Sequence, residues 1–107
     1  MQPSSSSHPY LQLDDTVHQK ARLAILSILA GGVEVDFGFL RSTLELTDGN
    51  LGRHLDVLLT AGYICVRRTY NGRRARSWLT ITDGGRAALA VEVDALRSML
   101  GQISDFH

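Results

Sequence analysis

Between Leu46 and Ile64 the sequence LTDGNLGRHLDVLLTAGYI places Leu51, Leu55, Leu58 and Leu59 at steps of four, three and one, the apolar stripe of a helix with period 3.6. Gly49 and Gly52 interrupt its first turns on the side away from the leucines, where each costs about 1 kcal/mol relative to alanine. Thr47 or Asp48 is the expected N-cap, and Ala61-Gly62 the expected end. Upstream, Val17, Ala21, Ala24, Ile25, Ile28 and Leu29 predict a helix from Asp15 or Thr16 to Ala30, opened by a Thr16/Gln19 capping box and closed by Gly31-Gly32. Val33 to Asp36 is long enough only for a strand stub or a turn, and Phe37, Leu40 and Leu44 mark a second short helix over 37–44.

Downstream the period changes to two. Tyr63 to Tyr70 and Arg76 to Ile81 read as strands joined by Asn71-Gly72-Arg73-Arg74, an Asn-Gly hairpin signal, with Ile64, Val66, Leu79 and Ile81 facing inward. Thr82 then caps a final helix over 82–104. In it Leu89, Val93, Leu96, Leu100 and Ile103 are spaced four, three, four and three residues apart, a heptad-like seam. A seam that outlasts so small a domain is expected to be covered by a second copy of the chain.

The 107 residues allow one domain, and the first dozen, rich in Ser and Pro, read as a flexible tail (1–12) ahead of a folded unit over 13–107. Apolar content of 44% and charged content of 21% are those of a folded soluble protein. No run approaches the roughly 20 apolar residues of a membrane span, and MQPSSSSHPY has neither the basic start nor the apolar core of a signal peptide, so a cytoplasmic location is expected. Cys65, alone, reads as an inert half-buried thiol in a strand. The four histidines have no metal-ligand spacing, and no metal or cofactor is expected.

Net charge is zero, but unevenly so. Residues 1–48 carry three Lys/Arg against six acids, and residues 82–107 two against four. Residues 49–81 carry six arginines (Arg53, Arg67, Arg68, Arg73, Arg74 and Arg76) against Asp56 alone. A basic face made only of arginine suits forked contacts with phosphate or guanine.

The order of elements is helix, stub, helix, turn, helix, hairpin, helix. Two short helices joined by a tight turn make a helix-turn-helix, whose second helix enters the major groove, and a basic hairpin just after it is a wing. The fold class expected is mainly α with a small β-hairpin wing, a winged helix-turn-helix with a C-terminal dimerisation helix. The run NLGRHLDVLLTAGYI, the basic hairpin and LTITDGGRAAL resemble the winged-helix transcriptional regulators of the MarR and ArsR kinds, most of all their short single-domain relatives, over about residues 14–100. The resemblance implies double-stranded DNA binding. FGFLRSTLE, before the recognition helix, lacks the paired cysteines by which metal-sensing ArsR proteins hold their ion, which excludes metal sensing there.

On that reading Asn50 and Arg53 are the best base readers, since Asn pairs with adenine and Arg with guanine O6 and N7. Gly49 and Gly52 would let the backbone approach DNA closely; alternatively Gly49 simply belongs to the turn and Gly52 avoids a clash with the preceding helix. Thr47 serves equally as a cap or a phosphate contact, and His54 adjoins the leucine stripe in a packed or phosphate-touching role. In the wing, Arg73 and Arg74 are expected on phosphate or in the minor groove, supported by Arg68, Asn71 and Arg76. Trp78 is expected to pack between wing and helix. Leu89, Val93, Leu96, Leu100 and Ile103 form the expected dimer interface.

Catalysis finds no support, because His54 and Asp56, two apart on a helix, diverge and nothing else proposes a partner. A protein-interaction module is the stronger rival, though it would predict an uncharged wing, and RNA binding lacks exposed stacking aromatics other than Tyr70 and Trp78. The sequence therefore points to a sequence-specific, homodimeric DNA-binding regulator, a repressor reading a pseudo-palindromic operator. It names no small-molecule effector.

Overall fold

Each change of period in the sequence becomes a change of element in the computed structural model, which describes residues 9–104, with side chains from Gln19 to Ile103. Helix α1 spans Pro9–Leu29, strand β1 Val35–Asp36, α2 Phe37–Leu44, α3 Asp48–Thr60, β2 Ile64–Asn71, β3 Arg74–Ile81 and α4 Asp83–Ser104. The strands form one antiparallel sheet in the order β1-β3-β2.

The first helix starts about two turns earlier than its apolar face predicts. Pro9 is a favourable first helical residue, having a preset φ and no N–H to satisfy. Thr16 therefore lies inside α1, which removes the expected Thr16/Gln19 capping box. The side chain of Val17 and all of residues 1–8 lie outside the described residues. At the other end α1 closes as expected, with Gly32 at φ 87° donating its N–H to the Leu29 carbonyl.

Helices α2 and α3 end alike. Glu45 (φ 54°) and Gly62 (φ 80°) take the left-handed conformation, and each is followed by a residue whose N–H reaches back into the last turn: Leu46 to Arg41 and Tyr63 to Leu58. This is the Schellman arrangement, and Glu45 adopts it without glycine's freedom.

The core takes residues from five elements. Ile25, Leu26 and Leu29 of α1 meet Leu40 of α2, Leu51, Leu55 and Leu58 of α3, Ile64 of β2 and Leu79 of β3, all buried. The strand stub is not free. Val35 pairs with Leu79 and Asp36 with Trp78, so β1 extends the hairpin into a three-stranded sheet.

Two hairpin expectations change. Asn71 pairs with Arg74, which leaves Gly72-Arg73 as a two-residue turn in place of the expected connection through Asn71-Gly72-Arg73-Arg74. Gly72, at φ 65°, is the first central residue and Arg73 has no positive φ, the pattern of a type II′ turn. Val66 shares the face of Ile64 and Leu79 but is 44% exposed, because β2 is an edge strand while its partner Leu79 on the central strand is 1% exposed, and Cys65 on the other face is exposed rather than half-buried. Among the described residues no helix is long and apolar enough to cross a membrane.

Candidate nucleic-acid interface

Helix α3 is positioned by its leucines and capped by Thr47. The Thr47 side-chain oxygen accepts the Asn50 N–H at 3.1 Å, satisfying a free amide of the first turn. Asp48 is not the cap. It pairs with Arg41 of α2 at 2.8 Å, so the acid nearest the helix start is neutralised by a residue the sequence reading did not single out.

With Leu51, Leu55 and Leu58 buried, α3 turns Gly49, Asn50, Arg53 and Asp56 outward, with Gly52 half-buried beside them. A Cβ at Gly49 or Gly52 would meet nothing within 4 Å. Gly52 therefore does not avoid a clash with α2, and the fold requires glycine at neither place. Gly52→Ala is expected to raise stability by roughly 0.5–1 kcal/mol through helix propensity, measured by urea denaturation. A loss of stability would mean that the glycine serves the fold after all.

His54 departs from the outward-facing set. It is only 6% exposed, and lines with Arg22, Asn50, Arg53 and Val57 a recess between α1 and α3. Of the two roles expected of it, packed or phosphate-touching, its burial agrees with the first.

The wing arginines divide between the two faces of the hairpin. Register places Arg67, Arg74 and Arg76 on the face of Trp78, and Arg68 with Tyr70 on the face of Leu79. At the base of the wing Arg67 grips Glu34 through two hydrogen bonds of 2.8 and 2.6 Å, and Arg76 stands 3.6 Å from Asp36. Both guanidinium groups also flank the Trp78 ring, at 5.9 and 5.5 Å from its centroid, while the indole N–H donates to Thr69 at 3.0 Å. Trp78 thus sits at the wing base beside β1, and lines an open recess together with Phe39 of α2.

Asp36 links this cluster to the helix-turn-helix. Its Oδ1 accepts the Phe39 N–H at 2.8 Å as the N-cap of α2, and its Oδ2 faces Arg76. The Arg67 hydrogen bond holds the Glu34 carboxyl below its ordinary range against a smaller effect of desolvation. A depressed carboxylate contributes above its unfolded-state pKa and loses that contribution as pH falls through the folded one, so the pair is intact at neutral pH. Arg68, Arg73 and Arg74 are exposed and have no carboxylate partner among the described residues. The basic character of the segment is therefore concentrated toward the tip.

Helix α4 carries the last expected site. Leu89 and Val93 are partly covered by the domain, but Leu96, Met99, Leu100 and Ile103 are 43, 57, 62 and 55% exposed. They continue into an apolar groove of about 620 Å³ between α1 and α4, lined by Leu23, Leu26, Leu58, Tyr63, Leu96 and Met99 among others.

A sheet-backed helix-turn-helix followed by an arginine-tipped hairpin defines a winged-helix protein. The chain belongs to the family described as the winged helix DNA-binding domain, which matches residues 21–100. It is 36% identical over 67 residues to an uncharacterised protein of Methanocaldococcus jannaschii, covering 63% of this chain and 73% of that one. A transcriptional regulator homologue from Pyrococcus horikoshii shares the fold at a TM-score of 0.71 and 26% identity, over 78% of this chain and 83% of that chain. A PadR-like transcription factor from Bacteroides fragilis superposes at a TM-score of 0.78 over 88% of this chain and 96% of that chain, at 11% identity, a likeness of fold alone. Regulators of the PadR and MarR families are among the solved structures with this architecture, in agreement with the winged-helix resemblance carried by the sequence.

Proposed function

We propose that the protein is a cytoplasmic, homodimeric transcriptional regulator that represses by occupying a pseudo-palindromic site in double-stranded DNA. The observation that carries this reading is the outward face of α3. Two glycines that nothing in the fold requires lie beside Asn50 and Arg53, on the side opposite the buried leucines. Bare backbone at Gly49 and Gly52 lets the helix sit deep in a major groove, where Asn50 and Arg53 reach base edges. Thr47 and the wing residues Arg68, Asn71, Arg73, Arg74 and Arg76 hold the phosphates, with Arg73 and Arg74 foremost. The exposed seam of α4, with the groove beside it, supports pairing of two copies through Leu89, Val93, Leu96, Leu100 and Ile103. Twofold symmetry would then set two recognition helices about 34 Å apart, one helical turn of DNA. The regulator named among the similar structures, at 26% identity, supports the regulatory role.

Fluorescence anisotropy with labelled duplex from upstream of its own gene, competed by a shuffled duplex over a salt series, tests the reading. Two chains per site and resistance to the competitor are expected. Arg53→Ala should cost about 1–3 kcal/mol on the preferred site and relax base preference, whereas Arg73→Ala should weaken all duplexes alike and flatten the salt dependence by about one phosphate. Absence of binding even at low salt would defeat the proposal in favour of a protein-interaction module.

A further inference from the structure

Arg22 of α1 is not among the residues that the helix-turn-helix and wing reading uses, yet it reaches the outward side of α3. With Asn50, Arg53, His54 and Val57 it lines a small cavity of about 70 Å³. Its Nε is buried and has no hydrogen-bond partner among the described residues. Elsewhere Arg41 meets Asp48, Arg67 meets Glu34 and Arg76 meets Asp36, while Arg86 donates to the Ala30 carbonyl. Among the described residues no carboxylate lines this cavity. Two arginines, Asn50, the buried His54 and Val57 thus line one small recess.

A buried guanidinium N–H without an acceptor is unfavourable, and a second arginine on the same recess adds positive charge. An anion in the recess would offset that charge. The fork geometry of arginine matches the oxygens of a phosphate, and the recess holds about two waters' volume, the scale of one phosphate group rather than of a nucleotide.

We propose that Arg22 anchors a phosphate-binding pocket between α1 and α3, with Asn50 and Arg53 on its lining. Its occupant is a phosphate-class anion, supplied either by a DNA backbone phosphodiester beside the recognition helix or by a free anion in solution; the first source rests on the DNA-binding reading above, the second does not.

The test uses the full chain and inorganic phosphate at constant ionic strength, with chloride as the balance. Phosphate should shift the Arg22 and Arg53 Nε–H resonances in two-dimensional NMR and raise the thermal midpoint. Both responses should vanish in Arg22→Gln and persist in part in Arg22→Lys, which keeps the charge but loses the fork. Should Arg22→Gln fail to fold, the weakened response of Arg22→Lys carries the comparison. A phosphate response no larger than that of chloride, or one unchanged in the Arg22 variants, would overturn the pocket. For the DNA source, Arg22→Gln should lower the slope of log affinity against log salt by about 0.9 with base preference unchanged. An unchanged slope beside a lost phosphate response assigns the pocket to a free anion. Wild-type protein that responds to phosphate but binds no DNA would defeat the regulatory reading and leave the pocket standing.

Discussion

Gly85→Ala should be the most destabilising single-methyl change in the protein, lowering folding stability by about 3 kcal/mol or more. Gly85 is buried in the first turn of α4, and a Cβ there would collide with the Tyr63 carbonyl oxygen and stand 2.8 Å from Ile81 Cγ1. Neither neighbour can yield. The Tyr63 carbonyl already accepts the Thr82 N–H at 2.9 Å, and the Thr82 hydroxyl donates to the Gly62 carbonyl at 2.6 Å while accepting the Gly85 N–H at 3.0 Å. The start of α4 is therefore fastened to the link between α3 and β2, and only a residue without a side chain fits beneath it. Overpacking costs about 1–3 kcal/mol in ordinary cores and more against backbone, a large part of the roughly 5–15 kcal/mol that holds a domain together. Gly84→Ala is the matched control. Its nearest neighbours would be at 3.6 Å, ordinary contact, so helix propensity should leave it within about 1 kcal/mol of wild type. Urea denaturation of the two variants decides the matter, and equal midpoints would sink the argument.

That joint also bears on function. The same few residues set the direction of α4 against α3, and so the direction in which a partner's recognition helix would lie. Its importance could not be read from the chain, because LTITDGGRAAL offers two adjacent glycines and no local signal distinguishes the one pressed against a carbonyl from the one in open contact.

What the sequence did disclose was local. The leucine period of α3, the Thr47 cap, the Thr82 cap and the span 37–44 of α2 each depend on residues within a turn or two, and each is found where expected. The hairpin was legible as a hairpin but not in register: Asn-Gly favours a turn centred on both residues, whereas strand pairing carried one residue further places Gly72 first. The early start of α1 was hidden by a tail that reads as low-complexity. Long-range pairs were invisible. Glu34 and Arg67 are 33 positions apart, and nothing in either segment names the other. Asp36 stands directly before the apolar spacing of α2, an N-cap signal that was present in the sequence, although its second role toward Arg76 was not. Counting six arginines in the middle third therefore overstated the free positive charge, since the two that flank Trp78 face acids from the first third of the chain.

In the proposed dimer, Leu100→Asp is expected to separate the two chains without loss of the subunit fold. Leu100 is 62% exposed and lies outside the buried core, so a carboxylate there leaves a single chain intact. In a symmetric pair the same change occurs twice and sits between Leu96 and Ile103 on the seam. Burying one leucine is worth about 1.5–3 kcal/mol, so two lost copies remove about 3–6 kcal/mol, or roughly 10²–10⁴ in the dimer dissociation constant, before the cost of desolvating the new charges is added. The loss should pass to DNA. A dimer places its second recognition helix at high local concentration once the first has bound, and a monomer does not, so affinity for a two-half-site duplex should fall by a similar factor while affinity for an isolated half-site stays the same. Sedimentation velocity reads the first effect and anisotropy on one-site and two-site duplexes the second. A variant that still sediments as a dimer would show that α4 does not pair the chains through this seam, and one that becomes monomeric yet keeps its preference for the two-site duplex would separate dimerisation from operator recognition.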